Sequence, residues 1–311
     1  MKVLVTGGAG FIGSNTTEEL LLQNHDVAVV DNLSSGKGYQ VPLGAVFYEE
    51  DIRGKEIDNI FSDFQPDCVI HLAAQVSVAK SFEDPLNDGE ANIMATINVL
   101  EACVKHNVKK IIFASTSALY GSPNYLPVDE EHVVKPISFY GLSKKHAEDY
   151  IKMFAQLHGL TYTILRYANV YGMRQCANGE AGVVSIFIKR LLNNQSLSIF
   201  GDGAQTRDFV FVKDVVRANV AALSKGDNEI INISTGKQTS ILDILHELKG
   251  VAGSDISLAY YHERLGDIKH SFLANTKAEN VLNWKPNYSF AEGLKETIYF
   301  HRKENGIIVQ I

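Results

Sequence analysis

The segment Thr6-Gly7-Gly8-Ala9-Gly10-Phe11-Ile12-Gly13 constrains this chain more than any other, because it joins an apolar run to a helical one. Lys2–Thr6 reads as a buried strand and Phe11–Gln23 as a helix, so the glycines fill a strand-to-helix turn. They include Gly8-x-Gly10-x-x-Gly13, and Gly7 adds a Gly-x-x-Gly-x-x-Gly spacing. Glycines there let the backbone approach a pyrophosphate, and the helix N-terminus stabilises its charge. Any tight turn also takes glycine, so context must decide. Asp31, closing a second strand at Asp26–Val30, stands where a ribose-binding acid belongs. Its carboxylate accepts the adenosine ribose hydroxyls and repels a 2′-phosphate, so NAD is expected over NADP.

Ala45–Tyr48, Cys68–Leu72, Lys110–Ser115 and Thr161–Arg166 read as further apolar strands separated by helical sequence. Continuous apolar strands alternating with helices imply a parallel sheet covered on both faces. Right-handed crossovers make it an α/β doubly wound, Rossmann-type sheet. After about Gly172 the segments shorten and carry more glycine and exposed polar residues. The expected division is a cofactor domain over 1–172 and a smaller C-terminal α/β substrate lobe over 173–311, with segments allowed to cross back into the large sheet. A length of 311 residues suits two such lobes around a cleft.

The formal net charge is −7, so no global field draws in nucleic acid or an anionic membrane, and an anionic substrate needs local cations. No apolar run is long enough to span a bilayer, and no secretory leader is read at Met1-Lys2-Val3-Leu4-Val5. Cys68, Cys103 and Cys176 lack metal-like spacing, as do His71 and His146, which read as structural. A reducing, cytoplasmic setting without a metal is expected.

Tyr140 and Lys144 are four residues apart in a helical stretch and share a face. A tyrosine of ordinary pKa about 10 is too weak a base at neutral pH. A neighbouring ammonium and an oxidised nicotinamide both stabilise its phenolate, so that it can take a hydroxyl proton as hydride leaves the same carbon. The spacing alone is unspecific, since Tyr299 and Lys303 repeat it, where a packed tyrosine with a solvated lysine is the natural reading. Tyr140 differs in having Ser115-Thr116-Ser117-Ala118-Leu119-Tyr120-Gly121 upstream, at a strand end where doubly wound sheets bind ligands. A hydroxyl there either caps the turn or hydrogen-bonds the oxygen that Tyr140 deprotonates.

With these residues the chain resembles the extended short-chain dehydrogenase/reductase family, particularly its NAD-dependent UDP-glucose and UDP-GlcNAc 4-epimerase group. The resemblance runs through the glycine turn, Asp31-Asn32-Leu33-Ser34-Ser35-Gly36, Asp51-Ile52, His71-Leu72-Ala73-Ala74-Gln75, Asn92 and Tyr140-x-x-x-Lys144. It continues through Arg166-Tyr167-Ala168-Asn169-Val170-Tyr171-Gly172, Gly201-Asp202-Gly203, Arg207-Asp208-Phe209 and Arg264-x-Gly266-Asp267. It implies a catalytic set of Tyr140, Lys144 and Thr116. The cofactor set it implies is Gly7, Gly10, Phe11, Ile12, Gly13, Asp31, Asn32, Ser35, Gly36, Asp51, Ile52, Leu72, Ala73, Ala74, Gln75, Asn92, Ser115, Tyr140, Lys144, Tyr167 and Val170. For a UDP-sugar it implies Ser77, Thr116, Tyr140, Asn169, Arg207, Arg264, Asp267 and Ser271, with Val183, Val184, Ile199 and Phe200 around the uracil. The arginines also make independent sense, because a pyrophosphate needs planar cationic forks.

Members of the family share oxidation to a 4-keto sugar and then diverge. In the 4,6-dehydratases an Asp and a Glu follow the active-site threonine, whereas Ser117 and Ala118 stand here and cannot carry that elimination. The expectation is therefore a UDP-hexose 4-epimerase. A UDP-glucuronate or UDP-pentose 4-epimerase, or another nucleotide-sugar enzyme of the same fold, is the alternative. A UDP-sugar dehydrogenase would release NADH stoichiometrically, and a non-catalytic NAD sensor could lack Thr116, Tyr140 or Lys144. Ser271 occupies the family position where a bulky tyrosine excludes N-acetyl groups, so N-acetylated sugars are expected to fit. Long helices at Ala91–Asn107 and Phe139–His158, apolar on more than one face, suggest a homodimer built on both.

Overall fold

Residues 1–176, 182–252, 256–263 and 268–304 are described by a computed structural model. Strands form where aliphatic and β-branched residues run together: Lys2–Thr6 (β1), Asp26–Val30 (β2), Val46–Tyr48 (β3), Cys68–His71 (β4), Lys110–Thr116 (β5) and Thr161–Tyr167 (β6). Later strands are shorter: Asn169–Tyr171 (β7), Leu197–Phe200 (β8), Thr206–Arg207 (β9), Phe209–Phe211 (β10), Glu229–Ile233 (β11), Thr239–Ser240 (β12) and Leu258–Tyr261 (β13). The helices are Phe11–Leu22 (α1), Glu56–Phe64 (α2), Val78–Glu83 (α3), Pro85–Gly89 (α4), Ala95–Lys105 (α5) and Phe139–His158 (α6). Val183–Leu192 (α7), Val212–Ala221 (α8), Ile241–Ala252 (α9), Thr276–Leu282 (α10) and Phe290–Glu304 (α11) follow.

One seven-stranded parallel sheet has the order β11-β6-β5-β4-β1-β2-β3. Because strand side chains alternate, Val3, Val5, Val27 and Val29 enter one core, which also takes Ala218 and Ala222 of α8 and its C-terminus. Leu4, Ala28 and Val30 enter the opposite core with Ile57 of α2, Val99 of α5 and Ile151 of α6. The chain runs outward in both directions from β1, so its order reverses between β1 and β4. The carboxyl ends of strands at such a reversal leave a crevice for ligands.

A third core joins α7, β8, β10, α9 and α11 in a smaller α/β layer. The chain does cross back after residue 172: β11 pairs with β6 in parallel, Ile230 beside Ile164. Helix α8 serves both layers, burying Val215 in one core and Val212 and Val216 in another. The expected helix over Ala91–Asn107 is interrupted, since Glu90–Met94 forms a π turn before α5 begins at Ala95. Phe139–His158 forms with the bounds read from the sequence, started by Ser138, whose side chain accepts from the Gly141 N–H, and ended by left-handed Gly159. Among the described residues, no helix is long and apolar enough to cross a membrane and no three metal-ligating side chains cluster.

Candidate active site

The strand ends open into a cleft of about 890 Å³ that reaches from the glycine turn to the smaller layer. Its floor is shaped by close backbone approach. A Cβ on Gly13 would stand 2.1 Å from the Gly7 carbonyl oxygen, and one on Gly7, at φ +73°, 2.7 Å from the Ala73 nitrogen. The turn is therefore flush with the chain after β4, leaving the N-terminus of α1 facing the cleft. Such a cradle fits a dinucleotide pyrophosphate.

Asp31 is 8% exposed and ties that turn to β2: its carboxylate accepts the Ala9 N–H at 3.0 Å and the Leu33 N–H at 2.9 Å. Burial pushes its pKa above the ordinary carboxylate value, against the pull of those two N–H groups. Farther along, Arg53 grips Asp51 at 3.0 and 2.7 Å, and Asn32 donates to Asp51 at 2.8 Å. The Arg53 contact is the main reason the Asp51 carboxyl is held down to about 2.

Tyr140, Lys144 and Thr116 line the same cleft, although β5 and α6 bring them from distant parts of the chain. The Lys144 ammonium is 3% exposed, donates to the Ala114 carbonyl at 2.9 Å and lies 4.5 Å from the centre of the Phe113 ring. Desolvation lowers its pKa to about 8, with Asp88 and Glu148 pulling it back up. Thr116 does cap the turn, its Oγ1 accepting the Ala118 N–H at 3.1 Å, yet that bond leaves its O–H to donate into the cleft.

The expected cofactor residues gather here, with the exception of two that act behind the wall. Gly36 does not line the cleft; a Cβ on it would lie 2.9 Å from the Ala9 backbone, so it seats its loop on the glycine turn. Asn92, 1% exposed, exchanges hydrogen bonds with the Gln75 backbone at 2.9 Å each way and donates to Ser143 Oγ at 3.0 Å. It holds the chain after β4 against α6. Ser115 reaches the cleft, but its hydroxyl donates to Glu148 at 2.6 Å, beneath the surface.

Of the expected substrate residues, Asn169, Arg207 and Ser271 line the far end of the cleft. Ser77, 7% exposed, caps α3 through the Lys80 N–H. Val184 and Ile199, 1% and 0% exposed, pack in the third core, Val183 packs against it, and half-buried Phe200 stacks on Tyr261 with ring centres 5.4 Å apart; none of the four lines the cleft. Arg264 and Asp267 fall outside the described residues. The decoy Tyr299 sits half exposed on α11, away from the cleft lining. His71 is structural: it lies between Thr6 Oγ1 at 2.7 Å and Thr96 Oγ1 at 3.0 Å, and burial drives its pKa down to about 3.

Lys37, Arg53, Lys80, Arg174 and Gln175 also line the cleft without having been read as site residues. Lys37 and Arg53 directly follow segments that were. Arg174 and Gln175 come two and three residues after Gly172, where the family-like run ends. Arg174, at φ +67°, reaches Glu18 on α1 at 2.7 Å and keeps a buried Nη1 without a partner among the described residues. Gln175 donates through Nε2 to the Val170 carbonyl at 3.1 Å, and its Oε1 is buried with no partner among the described residues. An arginine in a polar turn carries no periodic signal, so only a motif extended past Gly172 could have found the pair.

Residues 3–234 match the family described as NAD dependent epimerase/dehydratase. The fold is similar to UDP-glucose 4-epimerase from Thermotoga maritima solved with UDP-glucose, at 47% identity and TM-score 0.96, covering 98% of this chain and 100% of that one. It is similar to the Thermus thermophilus UDP-glucose 4-epimerase complex with NAD, at 40% identity and TM-score 0.92, covering 97% and 99%. A third likeness is to UDP-N-acetylglucosamine 4-epimerase from Methanobrevibacter ruminantium in complex with UDP-N-acetylmuramic acid. There identity is 38% and TM-score 0.93, covering 97% and 98%.

Proposed function

The chain belongs to the NAD dependent epimerase/dehydratase family, and from that membership we propose that it inverts carbon 4 of UDP-hexoses. It is an NAD-dependent enzyme of the isomerase type. The observation that carries this reading is a single cleft lined by the glycine turn and Asp31 at one end and by Asn169, Arg207 and Ser271 at the other, with Thr116, Tyr140 and Lys144 also on its wall.

When bound, NAD⁺ supplies the acceptor that takes hydride from C4 of the sugar and gives it back, so the sugar passes through a 4-keto form. Tyr140 takes the 4-OH proton and later returns it. Lys144, one helical turn on and fixed to the Ala114 carbonyl, keeps a positive charge near the phenol and favours its ionised form. Thr116 donates its O–H to the same sugar oxygen. Arg207 holds the diphosphate while the keto sugar turns over about that anchor, and Asp31 holds the adenosine ribose. Arg174 and Gln175, with an unpartnered donor and acceptor on this wall, complete the polar lining against bound ligand.

Ser271 leaves room for a 2-acetamido group, so UDP-GlcNAc and UDP-GalNAc are substrates beside UDP-Glc and UDP-Gal. The likeness to a UDP-N-acetylglucosamine 4-epimerase favours this. The working unit is a homodimer joined through the segment Ala91–Asn107 and helix α6, where Met94, Leu142, Tyr150, Met153 and Leu157 are between 39% and 66% exposed. The free thiols of Cys68, Cys103 and Cys176 suit a reducing cytoplasm.

The test is incubation of the purified protein with UDP-Glc, UDP-GlcNAc and UDP-GlcA separately, with and without NAD⁺, resolving the C4 isomers. Interconversion of both hexose pairs is expected. Turnover confined to UDP-GlcA, or stoichiometric NADH release, would overturn the proposal.

A further inference from the structure

Tyr140, Lys144 and Glu148 recur at four-residue steps and lie along one face of α6. The first two line the cleft, whereas Glu148 is 1% exposed beneath it. Its Oε1 accepts the Ser115 hydroxyl at 2.6 Å and Arg166 Nε at 2.9 Å, and its Oε2 accepts Arg166 Nη2 at 2.7 Å. Arg166, 4% exposed on β6, also donates to the Tyr120 hydroxyl at 3.0 Å, which donates to Asn232 on β11 at 2.8 Å. One carboxylate therefore ties α6 directly to β5 and β6, and through Arg166 and the Tyr120 hydroxyl to β11. Ser115 immediately precedes Thr116.

We propose that Glu148 is a positioning residue for the epimerisation, fixing the roll of α6 against the end of β5 and so the placement of Tyr140 and Lys144 beside Thr116. This rests on the reading of those three residues as the proton-handling set. Two arguments support it beyond the contacts. A buried ion pair adds little net stability over an apolar replacement of like volume, so its main consequence here is geometric. The pair is also bidentate and planar, a geometry that resists both rotation and sliding of the helix. Displacement of a reacting group by about 1 Å can cost about 100-fold in rate.

Glu148 has an electrostatic share as well. The charged or titratable groups facing Lys144 are Asp88 from α4, Glu148 and Tyr140 from its own helix, and neutral His71 from β4, with Arg166 of β6 beyond Glu148. Asp88 and Glu148 favour the ammonium. Removing the Glu148 charge also leaves Arg166 uncompensated, so both changes lower the pH at which Lys144 loses its proton.

Glu148→Gln tests this, since the amide keeps the size and one acceptor. The expected result is a fall in kcat of at least about tenfold, with KM and bound NAD within about twofold of wild type. The alkaline limb of the kcat profile should also move to lower pH. Ser115→Ala, which spares the ion pair, should lower kcat without moving that limb. Glu148→Asp, a methylene too short to reach both partners, should not restore kcat. Unchanged kcat, or parallel loss of kcat, NAD content and Tm with the limb in place, would overturn the proposal. If wild type proves inactive on UDP-hexoses, crystal structures still decide it: the distance between the Tyr140 and Thr116 hydroxyls must differ between wild type and Glu148→Gln.

Discussion

The Lys144 ammonium donates to the Ala114 carbonyl at 2.9 Å, so the charge proposed to support the Tyr140 phenolate is anchored to strand β5 rather than carried by a free side chain. A lysine normally keeps its charge in water. Here the helix delivers it to a dry site, where the Ala114 carbonyl, the Phe113 ring face and the charges of Asp88 and Glu148 offset part of the lost hydration. That arrangement suits catalysis and opposes stability.

Lys144→Met is accordingly expected to abolish epimerisation and raise Tm. The folded pKa of about 8 lies below the ordinary 10.5, so between those values the unfolded chain binds more protons. Stability therefore rises with pH across that window, and below it the full cost of the buried ammonium is present. Differential scanning calorimetry at pH 7 should show the variant more stable by a few degrees, with the gap closing toward pH 10. A lower Tm for the methionine variant at pH 7 would refute this account.

Gly13→Ala should be among the most damaging single methyl additions in the chain. The new carbon would meet the Gly7 carbonyl oxygen at 2.1 Å, backbone against backbone, with no flexible side chain to yield. A loss of more than about 3 kcal/mol in denaturant titrations is expected, together with loss of NAD binding. Gly89→Ala is the control: it has nothing within 4 Å and should gain about 0.5–1 kcal/mol.

Asp31→Asn should weaken NAD by about 10- to 100-fold in calorimetric titrations, because a hydrogen bond to a charged acceptor contributes about 1.5–3 kcal/mol. The native carboxyl pKa is raised by burial, so acidification should remove the acceptor at a pH above the ordinary 3.8. NAD affinity should fall on that acid side in wild type and stay flatter in the variant. Equal affinities would remove Asp31 from the cofactor site.

Ser271 is half-buried on the cleft wall, with its N–H on the Thr206 carbonyl at 3.2 Å, beside Arg207. Ser271→Tyr should lower kcat/KM on UDP-GlcNAc by about 10- to 200-fold while sparing UDP-Glc, the range expected for a steric difference of about 1–3 kcal/mol. An unaltered ratio between the two substrates would dismiss this residue as the size gate.

Met153→Glu should convert the proposed dimer to monomer in sedimentation experiments. The methionine is 51% exposed on α6 beside Tyr150 and Leu157, and a carboxylate there would be desolvated on association at a cost of several kcal/mol. Persistence of the dimer would move the interface elsewhere.

Local spacing was enough for the glycine turn, Asp31 at the end of its strand, helix Phe139–His158, and the shared face of Tyr140 and Lys144. Each is written in residues close together, where period and turn chemistry leave few alternatives. The parallel doubly wound sheet followed from the same alternation of elements. Tertiary packing alone brought Thr116 to Tyr140, returned β11 to the large sheet, sealed Val184 and Ile199 in the third core, and replaced the first turn of an expected helix by the π turn at Glu90–Met94. It also set Arg174 and Gln175 on the cleft wall and fixed Lys144 to Ala114. These depend on contacts between segments far apart in the chain, where an apolar residue can serve a core as well as a ligand. Sequence periodicity marks a buried face, and the packing of the whole fold decides what that face meets.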